Sequence, residues 1–147
     1  MADETRLRYR VCYADTDQMG VVYYANYLVL FERARGELMR SWGTAYGVLE
    51  ESGTMLPVVE AHVDYRAPAL YDDELEIAAW VGWARGVRLR MNCRVERNGE
   101  VLATGYTTHA CVDSKRLRPK RIPDVLLGMI GGEEKAGGTA NEHESGA

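Results

Sequence analysis

Tyr23-Tyr24-Ala25-Asn26-Tyr27-Leu28-Val29-Leu30-Phe31-Glu32-Arg33-Ala34-Arg35-Gly36-Glu37-Leu38-Met39-Arg40-Ser41-Trp42 has apolar residues at steps of three and four. Tyr23, Tyr27, Leu30, Phe31, Ala34, Leu38 and Trp42 form one stripe, and Glu32, Arg33, Glu37 and Arg40 fall on the opposite side. That spacing is the period of an amphipathic α-helix with one face against a core. No proline interrupts it, and Gly43 stands where a helix C-terminus favours a residue free to take positive φ. It is the longest predicted helix of the chain. It decides the fold because the segments on either side follow a different period.

Upstream, Thr5 to Tyr13 alternates: Leu7, Tyr9, Val11 and Tyr13 point one way, and Arg6, Arg8, Arg10 and Cys12 the other. That pattern predicts a half-buried strand. Downstream, Leu56–Arg66, Leu75–Trp83, Val87–Glu96 and Val101–Val112 all read as strands. Asn98-Gly99 is a two-residue hairpin signal between the last two. Val125 to Ile130 is read as a short final helix. The order is therefore strand, long helix, four strands, an α+β arrangement. One helix cannot cover both faces of five strands, so the sheet must curl around the apolar stripe. A free sheet edge is left, and pairing with a second copy by sheet extension is a natural way to cover it.

The chain has 147 residues and a net charge of −4, with 18 basic and 22 acidic side chains. That size suits one domain, read as residues 1–130, with a disordered tail over 131–147 that carries no large apolar residue. No apolar run approaches a membrane span, and the N-terminus does not resemble a secretory signal. A general basic footprint for nucleic acid is absent. Cys12, Cys93 and Cys111 are odd in number and lack metal-ligand spacing, so no disulfide framework, metal or other cofactor is expected. A reducing cytoplasm is the simplest setting.

The segment richest in chemistry runs Tyr13-Ala14-Asp15-Thr16-Asp17-Gln18-Met19-Gly20-Val21-Val22 into the helix. Two acids lie in a strand-to-helix loop. In the simplest reading Asp15 or Asp17 is a helix cap or a loop acid and Gly20 is a loop glycine. The chemical reading uses the same position. Unpaired N–H groups at a helix start can stabilise a carbonyl oxygen gaining negative charge, and a nearby carboxylate can attack the carbon or deprotonate a water. A carboxylate is a weak nucleophile, so it suits an activated acyl group such as a thioester.

The stretch Asp17, Gly20, Val21-Val22, Tyr23-Tyr24, Asn26-Tyr27, followed by Phe31-Glu32-Arg33-Ala34-Arg35, closely resembles the active-site segment of hotdog-fold acyl-CoA thioesterases. The nearest groups are the 4-hydroxybenzoyl-CoA thioesterase type and the Tol-Pal-associated acyl-CoA thioesterases. The likeness continues in Val63-Asp64-Tyr65-Arg66-Ala67-Pro68-Ala69 and in Tyr71-Asp72-Asp73-Glu74-Leu75-Glu76-Ile77, covering residues 6–125. It implies a five-stranded antiparallel sheet wrapped around one long central helix. It also implies an acyl-CoA or acyl-carrier-protein substrate and a homodimer or homotetramer. Asp17, not Asp15, matches the catalytic carboxylate. Tyr24 matches the residue whose backbone N–H polarises the thioester carbonyl, and Gly20 the glycine that lets the loop approach it. Met19 and Tyr23 are expected to line the acyl pocket. Tyr24 agrees with the hydroxybenzoyl type, whereas the Tol-Pal-associated enzymes often carry His there. Only Arg85 clearly matches the basic turn that grips the nucleotide phosphates. Lys115, Arg118 and Lys120, in a connector of net charge +3 over residues 113–124, are further candidates.

Other residues have plainer readings. Arg88, Arg90 and Arg94 read as a solvated strand face, and Glu32 with Arg35 as a surface pair. Glu60, His62 and Asp64 share a strand face that is partly exposed or a dimer contact. His109 and Cys111 read as core or interface rather than a catalytic pair. Tyr23, Tyr27 and Trp42 read as core. Two alternatives to hydrolysis stay open at this point: a non-catalytic acyl-thioester-binding protein, and a hydratase or dehydratase of the same fold. The second is disfavoured because the long helix offers no histidine.

Overall fold

The structure is a computed structural model describing residues 4–128 and 130, with backbone alone for residues 45 and 46. The sequence-predicted tail lies outside the described residues. Five antiparallel strands form the main sheet: β1 (Thr5–Arg10), β3 (Val58–Tyr65), β4 (Glu74–Arg85), β5 (Arg88–Arg97) and β6 (Glu100–Ala110). Their spatial order is β1-β4-β5-β6-β3, which leaves β1 and β3 as edges. Helix α1 (Asn26–Arg40) packs on one face, chiefly against β4 and β1. Helix α2 (Thr44–Glu51) and a small ladder of β2 (Thr54–Met55) with β7 (Val112–Asp113) close one end. The α+β architecture read from the sequence is the one observed.

The core lies between α1 and the sheet. Tyr27, Leu30, Phe31, Ala34 and Leu38 are buried from the helix, and Leu75, Ile77, Ala79, Leu89, Met91, Val95 and Leu102 from the strands. The strict alternation in β5 places Leu89, Met91, Cys93 and Val95 inward. Burying one such side chain is worth about 1.5–3 kcal/mol. Gly105 stands where α1 and the adjacent strand both come close. A Cβ built there would stand 2.2 Å from the backbone oxygen of His62 and 2.7 Å from the Phe31 ring. Asn98 and Gly99 both take positive φ, as their hairpin position requires.

Three expectations need correction. Helix α1 begins at Asn26, not Tyr23, because Val21 and Val22 are held extended in bridges to Leu70 and Thr16 and the Tyr23 oxygen accepts from Asn26 in a tight turn rather than from Tyr27. Tyr23 therefore leaves the stripe and is 44% exposed rather than core. Tyr13 belongs to a short 3-10 turn, not to β1, and its ring is exposed. Helix α2 was not foreseen, although Gly43 does break α1 with φ of 60°.

Candidate active site

The loop before α1 is a miniature hairpin. Thr16 bridges to Val22, the Asp17 amide donates to the Val21 oxygen at 2.9 Å, and the Gly20 amide donates to the Asp17 oxygen at 2.9 Å. Gly20 has φ of 83°, and nothing lies within 4 Å of where its Cβ would be. Glycine is therefore required by backbone conformation, not by crowding. The outgoing limb is pinned by Val21 bridging to Leu70 and by the Val22 amide donating to Ala69 at 2.8 Å.

The two aspartates have different duties. Asp15 Oδ2 accepts from the Tyr9 hydroxyl at 2.6 Å and from the Cys12 amide at 2.8 Å. The bond to Asp15 holds the Tyr9 phenol well above its usual titration range. The Asn26 side-chain amide donates to the Asp15 backbone oxygen at 2.9 Å, which locks the loop to the first turn of α1. Asp15 is thus a brace. Asp17 is half-buried at the head of the turn, where Oδ1 accepts from the Met19 amide at 2.9 Å. Among the described residues, its Oδ2 accepts no hydrogen bond. Neither acid caps α1, and of the two simple alternatives Asp15 is the loop acid.

The N-cap of α1 is Ala25, which has no side-chain group to cap with. Serine, threonine or aspartate there would satisfy an amide and stabilise the helix by about 1 kcal/mol. Here, among the described residues, the N–H groups of Tyr24 and Ala25 have no acceptor. The oxygens behind them are engaged: Asn26 N–H donates to the Tyr23 oxygen at 2.8 Å, and the Tyr65 hydroxyl donates to the Tyr24 oxygen at 2.8 Å. The positive end of the helix dipole adds to both amides. The result is a pair of donors suited to an oxyanion, on the helix turn that directly follows the Asp17 hairpin.

Asp17, Met19, Gly20, Tyr23 and Tyr24 are therefore neighbours. Met19 is 78% and Tyr24 63% exposed. The Tyr23 and Tyr24 rings meet at 4.8 Å. The Tyr23 phenol is raised by a hydrogen bond with Tyr24, with Asp17 adding a lesser push. A small cleft of about 70 Å³ beside the helix start is lined by Tyr9, Asp15, Val22, Asn26, Val29, Leu30 and Arg33, and Asp17 is not on its wall.

The basic candidates lie elsewhere. Arg85 ends β4, its guanidinium 4.9 Å from the Trp83 ring. The connector carrying Lys115, Arg118 and Lys120 runs beside it, with Ile122 N–H donating to the Gly86 oxygen at 2.9 Å. Lys120 Nζ donates to the Ser52 oxygen at 3.1 Å, so this lysine is tethered. This group sits at the end of the sheet where β3 begins, whereas the Asp17 loop sits where β3 ends. The length of β3, roughly 25 Å at about 3.3 Å per residue, separates them within one chain.

His109 and His62 are held in structural contacts. His109 is buried, with Nδ1 donating to the Leu56 oxygen at 2.8 Å and Nε2 accepting from the Thr107 hydroxyl at 2.8 Å. Burial lowers its pKa to about 4, so it is a neutral core residue. His62 pairs with Asp64 at 3.1 Å and stacks on Tyr106. Arg90 and Arg94 are not simply solvated. They lie over the rings of Tyr106, at 3.7 Å, and Trp80, at 5.1 Å. Sequence reading gave no role to Ala25 or Tyr65. The spacing starts the helix at Tyr23 and so places Ala25 inside it, which hides the missing cap, and the contact from Tyr65 spans 41 residues and has no local signal.

The thioesterase-like superfamily model matches residues 11–130. An acyl-CoA thioesterase of Haemophilus influenzae is 37% identical over 115 residues, covering 78% of this chain and 85% of that protein. An acyl-CoA thioester hydrolase of Escherichia coli O6:H1 is 36% identical over 119 residues, covering 80% and 89%. Among solved structures, a DHNA-CoA thioesterase from Staphylococcus aureus superimposes with a TM-score of 0.78 at 26% identity, covering 95% of each chain.

Proposed function

The chain belongs to the thioesterase-like superfamily, and from that premise we propose that it hydrolyses acyl-CoA thioesters, releasing a carboxylic acid and free CoA. The observation that carries the reading is the uncapped start of α1, with two acceptor-free amides beside the Asp17 turn. The thioester oxygen accepts from the Tyr24 amide, which stabilises negative charge as the carbonyl becomes tetrahedral. Asp17 either attacks the carbon, giving an anhydride that water then cleaves, or removes a proton from an attacking water. In both routes the C–S bond breaks, the thiolate leaves as CoA and gains a proton, and one water is consumed for each acid released. Met19 and Tyr23 border the acyl group, which is short-chain or aromatic. Gly20 keeps the turn shape that presents Asp17.

The working unit is an oligomer built on β3. This edge carries exposed Val58, Val59 and Tyr65 and, among the described residues, no strand pairs beyond it. Two copies pairing antiparallel along β3 set the start of one strand beside the end of the other. That arrangement brings Arg85, Lys115 and Arg118 of one protomer to the Asp17 loop of its partner, with Lys120 nearby. It removes the 25 Å separation and gives the CoA phosphates basic groups within reach. No helix among the described residues is long and apolar enough to cross a membrane, and a cytoplasmic setting accords with the free thiols.

A thiol-release screen over short-chain, long-chain and aromatic acyl-CoAs, with an acyl-carrier-protein thioester alongside, tests the activity and its acyl preference. Asp17→Asn should lose at least about 10²-fold in turnover and keep its melting temperature. Turnover equal to the parent removes Asp17 from the mechanism. Binding without turnover across the whole screen selects the non-catalytic acyl-thioester-binding alternative.

A further inference from the structure

We infer that Tyr65 is a positioning residue that makes the Ala25 amide a second donor to the thioester oxygen, beside that of Tyr24. The inference rests on the hydrolase reading above and extends it to a residue on a different element. Tyr65 closes β3, and its hydroxyl donates to the Tyr24 oxygen at 2.8 Å. The Tyr24 carbonyl and the Ala25 N–H belong to one planar trans peptide and point in opposite directions. A donor on that oxygen both fixes the plane and draws charge across it, so the Ala25 N–H becomes a better donor on the far side.

The two acceptor-free amides are backed differently. Behind Tyr24 N–H, the Tyr23 oxygen takes a helix-turn bond from Asn26 at 2.8 Å. Behind Ala25 N–H, the corresponding helix-turn bond, from Tyr27, is stretched to 3.3 Å. The shorter contact on that oxygen is the one from Tyr65. The ring that delivers it is itself fixed, meeting Tyr27 edge-on at 5.1 Å and 85°. Tyr27 is buried and accepts from the Ala69 amide at 3.2 Å. Partial burial and the neighbouring Tyr27 and Tyr24 phenols raise the Tyr65 pKa, which keeps it a neutral donor. The loop that carries Asp17 plays no part in this contact, so the donor and the carboxylate can be perturbed separately.

Tyr65→Phe removes one oxygen and keeps the ring on Tyr27. With the best thioester from the screen, kcat should fall about tenfold while KM stays within about twofold, because a contact that strengthens in the transition state is lost. The second readout needs no turnover. A ketone analogue of acyl-CoA, with CH₂ in place of sulfur and ¹³C at the carbonyl, is bound to saturation. Its carbonyl resonance should move downfield on the parent and less far on Tyr65→Phe. Should Tyr65→Phe melt well below the parent, 3-fluorotyrosine at position 65 replaces it as the test. This keeps the ring and strengthens the donor, so the resonance should move further downfield than on the parent. An unchanged kcat, or the parent's carbonyl shift in Tyr65→Phe, overturns the role of Tyr65. A loss in Asp17→Asn without one in Tyr65→Phe overturns this inference alone and leaves the hydrolase reading standing. Absence of turnover by the parent overturns the hydrolase reading, and the ¹³C shift then still decides the fate of the Tyr65–Ala25 pair.

Discussion

Along the body of α1, Phe31, Ala34 and Leu38 are buried against the sheet. No buried side-chain nitrogen or oxygen among the described residues lacks a partner. At the first turn of the same helix, Tyr24 is exposed, the N-cap is an alanine, and two amides have no acceptor. One helix is thus closed at its middle and open at its mouth. The missing cap costs about 1 kcal/mol, and burial of a single core residue such as Phe31 outweighs that. The packed body supplies the stability that lets the mouth keep groups available for a ligand.

The comparison is sharpest if the two regions fail independently. Gly105→Ala should give the largest stability loss, about 3 kcal/mol, because the new methyl meets backbone as well as the Phe31 ring. A melting temperature lowered by about 10 °C is the expected readout. Asp17→Asn, by contrast, should leave melting unmoved while turnover collapses. A Gly105→Ala chain as stable as the parent would break the claim that the layers are already in contact there.

Acid should weaken the body as well. The folded-state pKa of His109 is about 4 against 6.5 for the free side chain. Between those values the unfolded chain takes up a proton that the native core refuses. Stability is therefore full above pH 6.5 and falls by on the order of 3 kcal/mol as pH drops towards 4. Urea melts at pH 7 and pH 4.5 should differ accordingly, and His109→Gln should flatten that difference. The smallest expected effect lies at the brace of the mouth. Asp15→Ala removes the acceptor of Tyr9 and Cys12 and should cost about 1–2 kcal/mol. It should also lower kcat, since the loop carrying Asp17 slackens. Unchanged kcat with a lowered melting point would mean that the brace serves folding alone.

What could be read from the sequence follows the range of the interaction. The period change at residues 23–42 and the Asn98-Gly99 turn are local signals, and they were enough for strand, helix, four strands. The helix start was placed three residues early because Tyr23 keeps the helical spacing. The residues just before it are held extended in bridges to Thr16 and Leu70, which no periodicity reveals. Spacing also could not separate Asp15 from Asp17, since both lie in the same polar loop. Their difference comes from Tyr9, six residues upstream of Asp15. Arg90 and Arg94 alternate like solvated residues, yet rings from neighbouring strands lie beneath them. Gly105 and Tyr65 were opaque for the same reason, because each acts on a residue far away in sequence.

The three cysteines lead to a last point about sulfur. Burial pushes the Cys93 thiol up to about 12 and raises that of Cys111, and both side chains lie in the core. Neither is available as a thiolate at neutral pH, so neither can exchange with a small disulfide. Cys12 alone stands at the surface. Once an outside oxidant has joined the liberated thiol into its symmetric disulfide, Cys12 is the one cysteine placed to exchange with it, its sulfur bonding one half as the other half leaves as free thiol, five residues from the carboxylate assigned to the reaction.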